Sequence, residues 1–322
     1  MLTGVNFVGI GVSDIDKSIK FYSEYFGFSE VMFDYTGSLP GMERVTNKSD
    51  TKARVAMLNN PNKGSIGLGM IKLVKLLSDI QEPCTVIDST MWGDIGIAEC
   101  CFHCKVSSEA IFSKLWQHGL RAALTPAFGS CPPYGTDLHY AYLRDPDNAL
   151  LELIDYKMCI TKGTEPNSTI NIEPEVEGVN HVGFGVSDMD KTIEFYKKLE
   201  FGEIIMDIPY EVSSYAMATM LPTPAPKMRI VMMANYQGAW IEPIQLATRP
   251  EPPALKKAWG HLGSMEFGVG VTNIEKAYNE LQDKGISFLS TPQTVKVKTG
   301  EWKYAYVVEP DGIPVSIIEP RY

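Results

Sequence analysis

One nineteen-residue passage is written into this chain twice. Gly4-Val-Asn-Phe-Val-Gly-Ile-Gly-Val-Ser-Asp-Ile-Asp-Lys-Ser-Ile-Lys-Phe-Tyr22 returns as Gly178-Val-Asn-His-Val-Gly-Phe-Gly-Val-Ser-Asp-Met-Asp-Lys-Thr-Ile-Glu-Phe-Tyr196, with 14 of 19 positions identical at a constant offset of 174. A sequence that repeats itself at this length builds the same local unit twice. In each copy an apolar run stops at Ser-Asp, whose short oxygen side chains cap helices, and Met189, Ile193 and Tyr196 then recur at helical spacing. The passage therefore reads as a strand feeding a helix. Its one imidazole, His181, lies within the strand, and the first copy has Phe7 in that place.

Reading outward from the repeat gives four units. The first has a strand over Gly4 to Val12, a helix from Asp14 to Phe26 stopped by Gly27, and strands around Val31 to Phe33, Ala53 to Leu58 and Ile66 to Leu73. Residues 76 to 94 lead to a second unit, with a strand Ile97 to Val106, a helix Ser108 to His118 and strands through Tyr140 to Leu143 and Leu150 to Ile154. The turn Arg144-Asp-Pro-Asp-Asn148 joins the last two. A third unit runs from Gly178 to about Leu246, and the Pro-rich Arg249-Pro-Glu-Pro-Pro253 leads to a fourth, with helix Ile274 to Lys284 and turn Glu309-Pro-Asp-Gly312. The expected division is a two-unit domain over 1–156, a polar linker over 157–177 and a second two-unit domain over 178–322.

At 322 residues the chain can bury an ample core without disulfides. Its six cysteines, three of them crowded at Cys100, Cys101 and Cys104, do not form the spread framework of a secreted domain, so a cytoplasmic location is expected. Cys100-Cys-Phe-His-Cys104 does not read as a zinc site, because strand alternation splits its donors between two faces and no second pair completes it. A net charge of −10 without basic runs argues against nucleic acid or an anionic membrane surface as partner. No apolar run is long enough to span a bilayer, and the first residues show no signal peptide.

Four openings of the type Val-Asn-His-Val-Gly-Phe-Gly-Val-Ser-Asp and closings of the type Arg144-Asp-Pro-Asp-Asn-Ala-Leu-Leu-Glu-Leu-Ile154 resemble the vicinal oxygen chelate superfamily, over nearly the whole chain. That group includes glyoxalase I, methylmalonyl-CoA epimerase, extradiol dioxygenases, hydroxyphenylpyruvate dioxygenase and fosfomycin or bleomycin resistance proteins. The resemblance implies an α+β fold of four β-α-β-β-β modules paired into two half-barrel, glyoxalase-like domains. It also implies a divalent ion (Fe, Mn, Zn, Ni or Co) held by residues of the first and last strands of paired modules. Matched by motif, the first-strand positions are Phe7, Cys101, His181 and Glu266, and the last-strand positions are Gly69, Glu152, Glu242 and Ser316.

With modules three and four paired, the implied set is His181, Glu242 and Glu266, with Ser316 in fourth place; with modules two and three paired, it is Cys101, Glu152, His181 and Glu242. Glu152, Glu242 and Glu266 stand inside apolar strands, where an acid is rarely tolerated without a partner. Glu242 and Glu266 are the candidate general bases. Arg229, Trp240 and Ser316 are the candidate substrate contacts, although Arg229, like its counterpart Arg54, would leave the same trace as a rim ion pair. The Met-rich strands Met217 to Met233 suggest an apolar or aromatic substrate.

The implied activity is a metal-dependent lyase or isomerase abstracting a proton next to a chelated carbonyl of a small substrate, in a monomer or homodimer. An extradiol-type Fe(II) dioxygenase is the alternative enzyme. It is opposed by Glu266 where that pattern has His and by Ser316 where it has Glu. A non-catalytic binding or resistance protein is the alternative from another class.

Overall fold

The computed structural model describes residues 1–62, 64, 66–77, 93–131, 136–157, 176–209, 227–235, 237–247 and 259–321. Most of the expected linker, the Pro-rich connection, Cys84, Cys159, Met217 and Met220 lie outside them. The first module comprises β1 (Leu2–Gly11), α1 (Ile15–Phe26), β2 (Glu30–Ser38), the short α2 (Glu43–Thr46), β3 (Lys52–Asn59) and β4 (Met70–Leu76). The second comprises β5 (Gly96–Cys104), α3 (Ser108–Gln117), β6 (Arg121–Cys131), β7 (Thr136–Arg144) and β8 (Leu150–Lys157). The third has β9 (Val176–Gly185), α4 (Met189–Lys198), β10 (Glu203–Ile208), β11 (Met228–Ala234) and β12 (Trp240–Leu246). The fourth has β13 (Gly263–Val271), α5 (Ile274–Asp283), β14 (Gln293–Val297), β15 (Gly300–Val307) and β16 (Val315–Arg321).

The helix starts follow the capping chemistry of the sequence. The Asp14 side chain accepts from the N–H groups of Asp16 and Lys17, Asp188 from that of Lys191, and Asn273 from that of Lys276. Gly27 ends α1 at φ 74°, a left-handed conformation that glycine takes without strain.

The strands form two eight-stranded sheets among the described residues, in the orders β14-β15-β16-β13-β1-β4-β3-β2 and β10-β11-β12-β9-β5-β8-β7-β6. Module one therefore pairs with module four, and module two with module three. This corrects the expected division into sequential domains 1–156 and 178–322: each sheet draws one module from either side of the linker. The four modules open with similar strands, and each joint is an antiparallel meeting of two such strands, β1 with β13 and β5 with β9. Strand pattern alone does not say which two meet.

Sequential modules still touch, through the turns that the sequence marks. The Tyr22 hydroxyl on α1 donates to Asp145 Oδ2 at 2.9 Å, and the Ser13 N–H donates to Asp147 Oδ2 at 3.0 Å. In the other half, the Ser187 N–H donates to Asp311 Oδ2 at 2.9 Å. One large apolar core joins both sheets and the helices, with Phe26 against Phe102 at 4.9 Å and Phe184 stacked on Phe267 at 5.6 Å. The opposite face of each sheet carries its own smaller cluster, around Trp302, Tyr304 and Tyr306 in the first sheet and around Tyr140, Tyr142 and Ile244 in the second. No described helix is long and apolar enough to cross a membrane.

Candidate metal centre

Five ionisable side chains converge on the face of the second sheet that carries Tyr142. Register places them. On β9, His181 lies two residues from Gly183, which pairs with Glu242 on β12 and with Glu99 on β5; Cys101, two residues beyond Glu99, pairs with His181 and with Glu152 on β8. A local two-fold relation thus makes Glu99 the counterpart of His181 and Glu152 the counterpart of Glu242. The Nε2 of His181 stands 3.2 Å from Glu152 Oε2 and 3.6 Å from Glu242 Oε2. Donor atoms of Glu99, His181 and Glu242 lie within 4.8 Å of one another, as do those of Cys101, Glu152 and His181. All five residues are buried, Glu242 the most exposed at 8 %.

A neighbouring amide fixes the imidazole. The Asn180 side-chain NH₂ donates to the Ile66 carbonyl at 2.9 Å, which turns its oxygen toward His181 Nδ1 at 2.7 Å. An acceptor there requires a proton on Nδ1, so Nε2 is the edge presented to Glu152 and Glu242. A neutral Nε2 would point its lone pair at two carboxylates, so the arrangement calls for positive charge between them. Burial works against a charged imidazole, yet Glu242 and Glu152 outweigh it and hold the His181 pKa above its ordinary value. Burial likewise pushes Glu242 up to about 7, with the Glu152 charge adding to it and His181 and a hydrogen bond with Glu99 opposing. Cys101 keeps its proton, its pKa raised by burial and by Glu152.

The residues expected from sequence are partly brought together. His181, Glu242 and Glu152 share this site, in the arrangement expected for paired modules two and three. Trp240, two residues before Glu242 on β12, packs with Met206 and Met232. Glu266 and Ser316 are in the other sheet, where Glu266 Oε1 lies 2.5 Å from Lys72 Nζ. Arg229 is bound to Asp207 and Asp190 and pairs with Gln245, whose side chain contacts the start of α4; it lies on the helix side of the sheet, opposite Glu242. The cysteine cluster behaves as strand alternation requires: Cys100 and Cys104 enter the main core and Cys101 the opposite face.

Sequence reasoning missed Glu99, Asn180 and Tyr142. Tyr142 pairs with Glu152, and its phenol is kept protonated by burial and by the charges of Glu152 and Glu99. The signal for Glu99 was present: like the other acids, it sits in an apolar strand.

The family model of the Glyoxalase/Bleomycin resistance protein/Dioxygenase superfamily matches residues 178–317. No curated protein sequence matches the chain. Among solved structures, glyoxalase I from Zea mays is 16% identical at a TM-score of 0.57, covering 98% of this chain and 92% of its own. A protein from Bacillus subtilis assigned as a dioxygenase is 11% identical at a TM-score of 0.56, covering 100% and 86%. At these identities the likeness speaks for the fold. Residues 178–317 thus resemble the Glyoxalase/Bleomycin resistance protein/Dioxygenase superfamily, and the chain as a whole has the two-domain fold of glyoxalase I.

Proposed function

We propose that the protein is a metal-dependent lyase or isomerase of glyoxalase or epimerase type, with Glu99, Glu152, His181 and Glu242 holding its divalent ion. The observation that carries this reading is the fixed Nε2 edge of His181, which faces two buried carboxylate oxygens and makes no well-formed hydrogen bond. Three carboxylates and one imidazole are a hard, oxygen-rich donor set, suited to Mn, Fe, Co, Ni or Zn. Such an ion supplies Lewis acidity toward both oxygens of a small hydroxy-carbonyl or diketone substrate.

The chain's own residues supply the rest. Glu242, with a pKa near 7 and a hydrogen bond to Glu99, is suited to take a proton from the carbon beside the substrate carbonyl at neutral pH. Asn180 keeps His181 in one tautomer and orientation throughout. The protonated Tyr142 phenol is available as a donor to developing negative charge. Tyr140, Ile154, Met228, Ile244 and Leu246 line the same face and favour an apolar or aromatic substrate while excluding water.

Ring-cleaving oxygen chemistry fits less well, because non-haem iron of that kind uses two histidines and one carboxylate, whereas this site has one histidine and three acids. The test is metal analysis of the purified protein, followed by deuterium incorporation from D₂O beside the carbonyl of α-hydroxycarbonyl compounds. One equivalent of metal with metal-dependent exchange supports the reading. Metal-dependent O₂ consumption would instead favour the dioxygenase, and a metal-free protein that binds these compounds without exchange would favour sequestration.

A further inference from the structure

The first sheet repeats the register of the metal centre with different side chains. Gly9 on β1 pairs with Lys72 on β4 and with Glu266 on β13; Gly268, two residues beyond Glu266, pairs with Phe7 and with Ser316 on β16. Phe7 is thus the counterpart of His181, Glu266 of Glu99, Ser316 of Glu152 and Lys72 of Glu242. Of the four donors only Glu266 keeps a charge of the same sign.

A positive charge stands beside it. The Lys72 ammonium, wholly buried, is 2.5 Å from Glu266 Oε1 and lies over two aromatic rings, 4.4 Å from the centre of Phe7 and 5.0 Å from that of Trp302. The Tyr306 hydroxyl donates to the second oxygen, Glu266 Oε2, at 2.5 Å. Both Glu266 oxygens thus face donors. The rings around the ammonium are electron-rich faces, which attract a desolvated cation. Trp302, Tyr304 and Tyr306 together with Met57, Trp259 and Phe33 fill the rest of this face, and all are buried.

We propose that the first sheet carries a latent copy of the metal site, in which the Lys72 ammonium, seated by Glu266, Phe7 and Trp302, takes the place of the divalent ion. It explains why Lys72 appears at the one position where the second sheet has Glu242, and why Phe7 replaces the only imidazole: a face that would be a ligand edge in one copy is a ring face for a cation in the other. The protein therefore takes up one divalent ion per chain. The loss of metal from the first sheet leaves no uncompensated charge there.

The proposal rests on the metal reading of the second sheet only for the count of ions, and the experiment separates the two. Mn(II) is titrated into the full-length wild type, into Glu266→Gln and into the double variant Phe7→His/Lys72→Glu, with bound ion counted by equilibrium dialysis and elemental analysis and folding checked by circular dichroism. One equivalent in wild type, unchanged in Glu266→Gln, and a second equivalent in a folded double variant is the expected result. A wild type holding two equivalents, one of them lost in Glu266→Gln, overturns the proposal, as does a folded double variant that gains none. A wild type with no metal beside a double variant with one would overturn the reading of the second sheet and leave this one standing. If the double variant does not fold, the comparison of wild type with Glu266→Gln decides alone.

Discussion

Glu152 and Glu266 were equally plausible ligands on sequence, and their surroundings now separate them. Glu152 faces the His181 Nε2, so Glu152→Gln removes a charged donor and is expected to weaken metal binding at least about 100-fold, an effect no smaller than the loss of an outer-shell partner. Glu266→Gln is expected to leave metal content untouched. It strands the buried Lys72 ammonium instead, at a cost of about 3–5 kcal/mol. Calorimetric titration and urea denaturation of the two variants side by side check both halves of this statement; metal loss in Glu266→Gln would reverse it. The same residues set the response to pH. A free glutamate ionises near 4.5, whereas folded Glu242 keeps its proton up to about 7, so between those values the metal-free folded protein binds more protons than the unfolded chain. Stability of the metal-free protein should therefore fall as pH rises from about 4.5 to 7, and His181, also raised, adds in the same direction as it deprotonates. Metal would expel these protons, so its affinity should climb as pH rises toward 7, by about tenfold per pH unit for each proton released. Metal titrations across pH 5 to 8 would show it.

Within the elements, what could be read from sequence depended on where a strand was regular. The repeated openings and the turn-rich closings identify four modules directly, and the caps on α1 and α4 form as the Ser-Asp signals require. His181, Glu152 and Glu242 were legible because a polar group inside an apolar strand has to be answered by something. Glu99 carries the same signal, but its place in the site was hidden because β5 is irregular. His181 lies seven positions before its helix cap Asp188, but Glu99 lies eight before Ser107, and register shifts fall between Cys101 and Phe102 and between His103 and Cys104. Counting back from the helix lands on Cys100 or Cys101 instead. Lys72 escaped for a chemical reason: it is the third residue of β4 as Glu242 is of β12, but a search for donors passes over a cation. The close approach at this joint also gives a prediction. A Cβ on Gly183 would come within 2.3 Å of Glu99 Oε1 and 2.7 Å of its Cγ, so Gly183→Ala should displace Glu99 and lower metal affinity while deleting no ligand. Metal binding equal to wild type in a folded Gly183→Ala protein would contradict the crowded placement of Glu99.

For the whole molecule, the consequence is that neither half of the sequence supplies all the residues of the proposed site. Residues 178–322 hold His181 and Glu242, whereas Glu99 and Glu152 come from the other side of the linker. The isolated 178–322 segment, although it contains the whole of the family match, should therefore bind divalent metal far more weakly than the full chain, by dialysis against Mn(II). Wild-type affinity in that segment would mean that the ligands lie within modules three and four after all.

The pairing of the sheets is nested: modules two and three close on each other inside the span bounded by modules one and four. During synthesis, β1 is made first, yet its antiparallel partner β13 emerges only after some 250 further residues. The β5–β9 joint needs far less chain. Contacts that close long loops form late and slowly, and exposed strand edges invite association while they wait. The second sheet should accordingly gain amide protection before the first in pulse-labelling hydrogen exchange during refolding, so that the proposed metal site assembles while β1 still lacks its antiparallel partner. Simultaneous protection of β1 and β9 would show instead that the two sheets condense together.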